Sequence, residues 1–275
     1  TGAKKIGVIA MDPDTAEVLG MSTSYSYDPN EPMDTDALRN MKVTVTESTE
    51  AATEDSSEEG SSEGTTDATT EEPKDPEKIT YDFSDDEVQK AIDDLTSDQT
   101  YEALDAVWRN YCISDILEPG STFKPFTIAG AIEDGVVKDG DTFYCKGYEI
   151  VADGTDPIYC HNRSGDGTIT LKQALEQSCN VALMQIAKSE RRETFSKYQD
   201  IFNFGNQTGI DLSGEGSGLV YDEEGLNPVE LATSSFGQGI NVTMIQMAAA
   251  FCSLINGGNY YTPHTVRQIL DENGS

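Results

Sequence analysis

Basic side chains are scarce in this 275-residue chain: 18 Lys and Arg stand against 50 Asp and Glu, for a formal net charge of −32 and a pI near 4.1. A surface this negative repels phosphate backbones, so no nucleic acid is expected as a partner, and anionic lipid is disfavoured on the same grounds. Long apolar runs are also lacking. The longest, Met244 to Ile255, falls short of the roughly 20 residues that a membrane-spanning helix needs. Thr1-Gly2-Ala3-Lys4-Lys5 leads straight into a strand-like run, so no signal peptide is expected at this start. Hydrophobic residues make up only 36% of the chain.

The shortage of bases is concentrated in one place. Val43 to Asp98 holds 19 acids and 3 bases, a net charge of −16, which is half of the whole excess. From Thr44 to about Lys78 nearly every residue is Ser, Thr, Glu, Asp, Ala or Gly, with no periodicity. Such a stretch buries too little apolar surface to offset the entropy of ordering and is expected to be disordered. It reads as a solvating linker or, more sharply, as a tether to a cationic partner. The expected division is therefore 1–41 as N-terminal strands, 42–83 as an acidic low-complexity insertion, and 84–275 as the main body.

Ile6 to Met11, the turn Asp12-Pro13-Asp14-Thr15 and Glu17 to Met21 predict a β-hairpin. Ser84 and Glu87 fit a capping box for a helix carrying Val88, Ala91, Ile92 and Leu95 on one face. Further helices are predicted over about 98–110, 121–134, from Thr170 to Leu175, over 181–202 and over 241–255, the last apolar nearly all round and hence buried. The ordered part is α+β, an α/β sandwich of antiparallel sheet packed with helices.

The segment Glu118-Pro119-Gly120-Ser121-Thr122-Phe123-Lys124 carries the strongest chemical signal. On a helix starting near Ser121 the positions i and i+3 share a face, which lets Lys124 Nζ reach Ser121 Oγ. Serine needs a neighbouring base to attack at neutral pH, and an amine partly desolvated by burial has a lowered pKa and can serve. Taken alone, Ser-x-x-Lys fits an ordinary helix cap followed by a solvated lysine equally well.

The surrounding blocks remove that ambiguity. Trp108-Arg109-Asn110 and Ser114-Asp115 precede Glu118 to Lys124. Leu175-Glu176-Gln177-Ser178-Cys179-Asn180, Thr208 to Leu212 and Phe236-Gly237-Gln238-Gly239 follow, the last leading through Gln246-Met247-Ala248 to Asn256-Gly257-Gly258. In this order they resemble the transpeptidase domain of class B penicillin-binding proteins, a penicillin-binding transpeptidase/β-lactamase-like fold. The Ser-x-x-Lys, Ser-Asp-Asn and Lys-Thr-Gly set belongs to that enzyme group, and Ser178-Cys179-Asn180 stands at the place of the second motif.

The resemblance implies a serine D,D-transpeptidase in cell-wall synthesis. Ser121 would be acylated by the penultimate D-alanine of a peptidoglycan stem peptide, Lys124 would take its proton, and Ser178 would relay a proton to the leaving amine. Asn180 would hold Lys124 and hydrogen-bond the substrate. It further implies β-lactams as inhibitors, a membrane glycosyltransferase and wall-synthesis complex as partners, no cofactor, and a place on the outer face of the bacterial membrane behind an N-terminal anchor. Alternatives on the same fold are a β-lactam sensor or β-lactamase, for which no Glu-bearing deacylation loop is seen, and a non-catalytic scaffold.

No Lys-Thr-Gly or Lys-Ser-Gly occurs in the chain. The resemblance places that strand beyond Ser275, so the chain is expected to be a fragment with its C-terminal strands missing. It would then lack an oxyanion donor worth roughly 10²–10³ in rate, and is not expected to turn over alone.

Five cysteines stand at 112, 145, 160, 179 and 252. Cys145 and Cys160 flank a Gly/Asp-rich stretch and could form a disulfide. Cys145, Cys160 and His161, with or without Cys179, could instead hold a metal, since thiolates and imidazole suit zinc. Free buried thiols are the third option. Cys112 and Cys252 read as core, and His264 as structural or surface.

Overall fold

A computed structural model describes residues 5–39, 41–46, 78–83 and 88–271. It divides into two compact units, one of residues 1–24 with 110–275 and the other of residues 25–109.

The smaller unit joins strand β3 (Lys42–Thr46) antiparallel to β4 (Lys78–Asp82), with helices α1 (Val88–Asp93) and α2 (Ser97–Trp108). Val43, Val45, Leu38, Phe83, Ile92, Leu104 and Val107 form its core. Thr96 caps α2 through a capping box with Gln99, supplying partners for N–H groups that the first helical turn leaves free. The predicted start of the acidic insertion at residue 42 is therefore too early. Val43-Thr44-Val45-Thr46 alternates buried and outward side chains as a half-buried strand should, and pairs residue for residue with Asp82 back to Lys78. The two short strands were masked by the acidic composition around them. The rest of the predicted disordered stretch, 47–77, and the Ser84–Glu87 capping box lie outside the described residues.

The larger unit opens with the expected hairpin, β1 (Gly7–Met11) antiparallel to β2 (Val18–Thr23). Helix α3 (Tyr111–Ser114) and strand β5 (Ile116–Leu117) lead to a 3₁₀ turn at Gly120–Phe123 and then to α4 (Lys124–Glu133). Three short strands follow, β6 (Thr142–Cys145), β7 (Tyr148–Glu149) and β8 (Ile158–Tyr159), and then β9 (Gly167–Thr170). β6 pairs with β9 and β7 with β8, all antiparallel. Helices α5 (Leu171–Glu176), α6 (Asn180–Ile201), α7 (Pro228–Ser234) and α8 (Met244–Ile255) complete the unit, with β10 (Val242–Thr243) pairing with β5. Mixed helix and antiparallel strand agrees with the α+β expectation.

Helix α4 is the centre of this unit. One side meets Ala182, Leu183 and Ile186 of α6 in a core with Ile128, Ala131 and Ile169. The other enters an aromatic cluster in which Phe126 lies 4.9 Å from Phe202 and 4.7 Å from Phe251 between ring centroids. Burial of these rings, each worth a few kcal/mol, sets the axis of α4 and hence the position of its first residue, Lys124. α8 is fully buried along the face of Ile245, Ala249, Ala250 and Ser253 and half-buried on the other, where Met247, Phe251 and Leu254 pack on the aromatic cluster; only its last residue, Ile255, is exposed, at 70%.

Candidate active site

Ser121 sits in the 3₁₀ turn, one residue into it, and is exposed. It does not cap α4, whose first residue is Lys124 itself. The turn is anchored from behind. Gly120 N–H donates to Gly237 O at 2.9 Å, and Gly239 N–H donates to Glu118 Oε1 at 2.9 Å. Gly237 has φ +80°, and a Cβ there would stand 2.2 Å from Gly120 O. Only glycine allows this approach, which brings the Phe236–Gly239 loop up against the serine turn.

The second part of the site is the turn between α5 and α6. Thr170 caps α5 with Gln173 in a reciprocal capping box. α5 ends after six residues because Ser178 takes φ +54°, a left-handed conformation that is costly for a side-chain-bearing residue. Such strain persists where the surroundings hold it, often at functional sites. Here Ser178 N–H donates to Leu175 O and Cys179 N–H to Ala174 O, at 3.0 and 2.9 Å.

Between these two turns lies Lys124, with no exposed surface. Its Nζ donates to Ser178 O at 2.6 Å, Ser178 Oγ at 2.8 Å and Asn180 Oδ1 at 2.7 Å. Ser178 Oγ in turn lies 2.9 Å from Ser121 Oγ. All four residues singled out in the sequence thus meet, but the direct Lys124–Ser121 contact expected from i, i+3 spacing is replaced by a chain through Ser178.

Burial drives the Lys124 pKa down to about 8, opposed by attraction from the neighbouring Cys160 and Cys179 thiols. An ammonium has three N–H donors, and the three acceptors satisfy them all. On losing a proton Nζ gains a lone pair, and hydroxyl hydrogens rotate freely. The chain can then reverse, with Ser121 O–H donating to Ser178 and Ser178 O–H to Nζ. That is a route for taking a proton from Ser121.

The cysteines differ from the sequence expectation. All five are free and buried, so the Cys145–Cys160 disulfide is not formed. Cys145, Cys160 and Cys179 instead converge with Asp166, their ligand atoms all within 4.8 Å of one another. His161 is outside that group: its ring is on the exposed side, with Nδ1 3.7 Å from Cys160 Sγ. Asp166 takes the place expected of the histidine because the loop before β9 folds back over Cys145. Nothing in the spacing of Asp166 marked it. Cys112 and Cys252 are buried as expected, and His264 contributes its backbone, pairing with Val18 N–H at 2.8 Å.

A separate cleft of about 680 Å³ is lined by Met184, Lys188, Arg191, Leu226 and Pro228 and includes none of the four site residues. Arg191 breaks α6 there with φ +68°.

Comparison with known proteins gives the family. The sequence model described as the penicillin binding protein transpeptidase domain matches residues 6–274. Stage V sporulation protein D of Bacillus subtilis (strain 168) is 42% identical over 164 residues, 59% of this chain and 25% of that protein. Peptidoglycan D,D-transpeptidase FtsI of Escherichia coli (strain K12) is 30% identical over 152 residues, 55% of this chain and 25% of that one. The chain therefore spans about a quarter of the length of these curated relatives. A crystal structure of Pseudomonas aeruginosa PBP2 superposes with a TM-score of 0.66 over 98% of this chain and 52% of that chain, at 21% identity, a likeness of fold. The transpeptidase domain of Burkholderia pseudomallei penicillin-binding protein 3 gives 0.54 at 26% identity, over 58% of this chain and 48% of that one.

Proposed function

This chain belongs to the class B penicillin-binding protein transpeptidase family, and on that premise we propose that it is the acyl-transfer part of a peptidoglycan D,D-transpeptidase with Ser121 as nucleophile. The observation that carries the reading is the buried Lys124, held by Ser178 and Asn180 and linked through Ser178 Oγ to Ser121 Oγ.

In the forward step Ser121 Oγ attacks the carbonyl of the penultimate D-alanine, and its proton passes through Ser178 to neutral Lys124. The peptide C–N bond breaks, the proton goes on by the same hydroxyl to the leaving D-alanine amine, and a serine ester remains. An amine of a neighbouring strand then attacks the ester, forms the cross-link and returns the proton to Ser121. Positioned proton transfer of this kind contributes about 10²–10⁴ in rate. Asn180 Oδ1 is fixed by Lys124, and its Nδ2, which donates to Tyr159 O at 3.5 Å, has a second N–H that would serve the substrate amide. A β-lactam would enter the same first step and stay attached.

The acidic stretch within 42–83 is a linker in this reading, and the body that follows carries the site. Among the described residues no helix is long and apolar enough to cross a membrane; placement outside the cytoplasmic membrane, stem peptides as substrate and a glycosyltransferase partner are part of the same proposal, which the resemblance to wall-synthesis transpeptidases supports.

Labelling the full-length protein with a fluorescent penicillin tests this. A denaturation-stable adduct on the wild type that disappears in Ser121→Ala is expected. Absence of label under conditions that label a control transpeptidase overturns the reading in favour of a scaffold, and rapid turnover of the label favours a β-lactamase.

A further inference from the structure

Helices α6 and α7 pack against each other. Between them, bordered also by Glu149 of β7 and by Val151, opens the cleft of about 680 Å³ that contains none of the acyl-transfer residues. Its floor is apolar: Met184, Leu226 and Ala232 are buried there, with Val151 and Leu231 half-buried beside them. A concave site of this size and lining falls in the range of about 300–1,000 Å³ that small-molecule pockets occupy, whereas a protein partner needs about 800 Å² of surface on each side. We propose that the cleft binds a small molecule made of an apolar body and one carboxylate.

The mouth of the cleft selects the charge. Lys188, Arg191 and Arg192 stand on it, three of only 18 basic residues in the chain. Two of the three acids that share it are answered within the protein. Glu193 Oε1 lies 3.5 Å from Arg192 Nε, and Glu149 Oε2 accepts from Gln185 Nε2 at 3.2 Å. Among the described residues Lys188 and Arg191 have no ion pair, and Glu224 is the one acid left to face them. The surplus is a single positive charge, which fits one carboxylate rather than a polyanion. A planar guanidinium can hold both oxygens of that group at once.

The backbone of Arg191 is an independent observation. Its φ of +68° and ψ of 162° lie in a region that is essentially restricted to glycine. Strain of this kind persists where the surroundings hold it, ligand clamps among them. Glycine would relieve the strain but bring no cation to the cleft. A carboxylate ligand is a physical reason for an arginine at a position whose backbone asks for glycine.

An occupant would rest on Met184, four residues beyond Asn180, and on Ala232, four residues before the Phe236–Gly239 loop that anchors the Ser121 turn. The cleft is thus built on the two helices that carry parts of the acyl-transfer site, while sharing no residue with it.

The test uses the full-length protein, first acylated with benzylpenicillin so that the Ser121 site is closed. The probe is para-(trifluoromethyl)phenylbutanoate, followed by its fluorine NMR signal, with the matching alcohol and amine as neutral and cationic forms of the same body. Saturable binding of the butanoate is expected, about tenfold tighter than the alcohol, with the amine weakest. The double change Lys188→Gln/Arg191→Gln should bring the butanoate down to the affinity of the alcohol and leave the alcohol unchanged, whereas Leu231→Gln should weaken both. Arg191→Gly should lose the preference for the carboxylate and raise the denaturation midpoint, because relief of the strain outweighs the entropy that glycine adds to the unfolded chain. Failure of the butanoate to bind saturably overturns the proposal. So does equal affinity for butanoate and alcohol, which would mean an apolar patch only, and so does undiminished butanoate binding in the double variant. If the double variant does not fold, the three probes on the wild type and the Arg191→Gly pair of readouts decide. Penicillin labelling of the same protein keeps the questions apart: butanoate binding without acylation defeats the transpeptidase reading alone, and acylation without butanoate binding defeats this one alone.

Discussion

Two ionisable side chains are buried against the same helix, and they are treated in opposite ways. At the first residue of α4, Lys124 is fully buried and all its donors are used. Further along α4, Glu190 of α6 is 2% exposed and neither carboxylate oxygen has a hydrogen-bond partner; both side-chain polar atoms of nearby buried Gln199 are unpartnered as well. Burial shifts both pKa values to about 8, down for the lysine and up for the glutamate, the latter pushed further by Asp134. Desolvation favours the neutral form in each case, but the surroundings differ. Lys124 is offered oxygens that can accept from the ammonium or exchange protons with the amine. Glu190 is offered aromatic and aliphatic walls. The comparison teaches that a shifted pKa alone does not mark a catalytic group; the hydrogen-bonded route to a nucleophile does.

The largest expected effect comes from removing the route. Lys124→Gln keeps a polar side chain against Ser178 and Asn180 but cannot take a proton, so acylation by a fluorescent penicillin should slow by about 10²–10⁴, with the circular dichroism unchanged. Acylation at the wild-type rate would put Lys124 in the same class as Glu190.

Neutralising Glu190 should act on stability instead. Its folded pKa lies above the unfolded value, so the native state holds a proton that the unfolded chain releases. Stability from this group is complete below about pH 4 and is lost as pH rises towards 8. Glu190→Gln removes that loss and should stabilise the fold by about 2 kcal/mol at neutral pH, while flattening the dependence of the denaturation midpoint on pH. Penicillin labelling should not change. A lower midpoint in Glu190→Gln would mean that the carboxylate has a partner that matters.

Gly130 sharpens the comparison, because it is where α4 meets this region. A Cβ there would lie 2.7 Å from the Tyr198 ring and 3.0 Å from Glu190 Oε1. Overpacking costs about 1–3 kcal/mol and the helix gains up to about 1 kcal/mol from alanine, so Gly130→Ala should destabilise by about 1–2 kcal/mol in urea melts. The smallest effect belongs to Thr170→Ala. It removes the cap of the helix that delivers Ser178 and should cost about 1 kcal/mol, with a modest loss of acylation.

Most of the site could be read from the residues. Ser121, Lys124, Ser178 and Asn180 stand in short motifs that took their meaning from the ordered blocks around them, since Ser-x-x-Lys alone fits an ordinary helix cap equally well. The β1–β2 hairpin and the helices around them were visible through turn residues, caps and apolar periodicity. What escaped depends on distant groups. The β3–β4 pair spans a stretch of 31 residues between Thr46 and Lys78, and the alternation in each strand is too brief to stand out from its acidic flanks. The route from Lys124 to Ser121 through Ser178 needs the left-handed turn at Ser178, which nothing in Gln177-Ser178-Cys179 announces. Asp166 joins the cysteines only because the β6–β9 pairing brings its loop beside Cys145. Glu190 reads in sequence as one more acid on a polar helix, and only the packing of α4 on α6 buries it.

The central claim is that desolvated Lys124 is the base for Ser121, and the pH dependence of acylation tests it most directly. For the full-length protein and a fluorescent penicillin whose own ionisation is constant over the range, the second-order acylation rate should rise about tenfold per pH unit from about pH 6 and level off above an apparent pKa near 8. A rate that is flat across pH 8, or that falls as Lys124 loses its proton, would contradict the account.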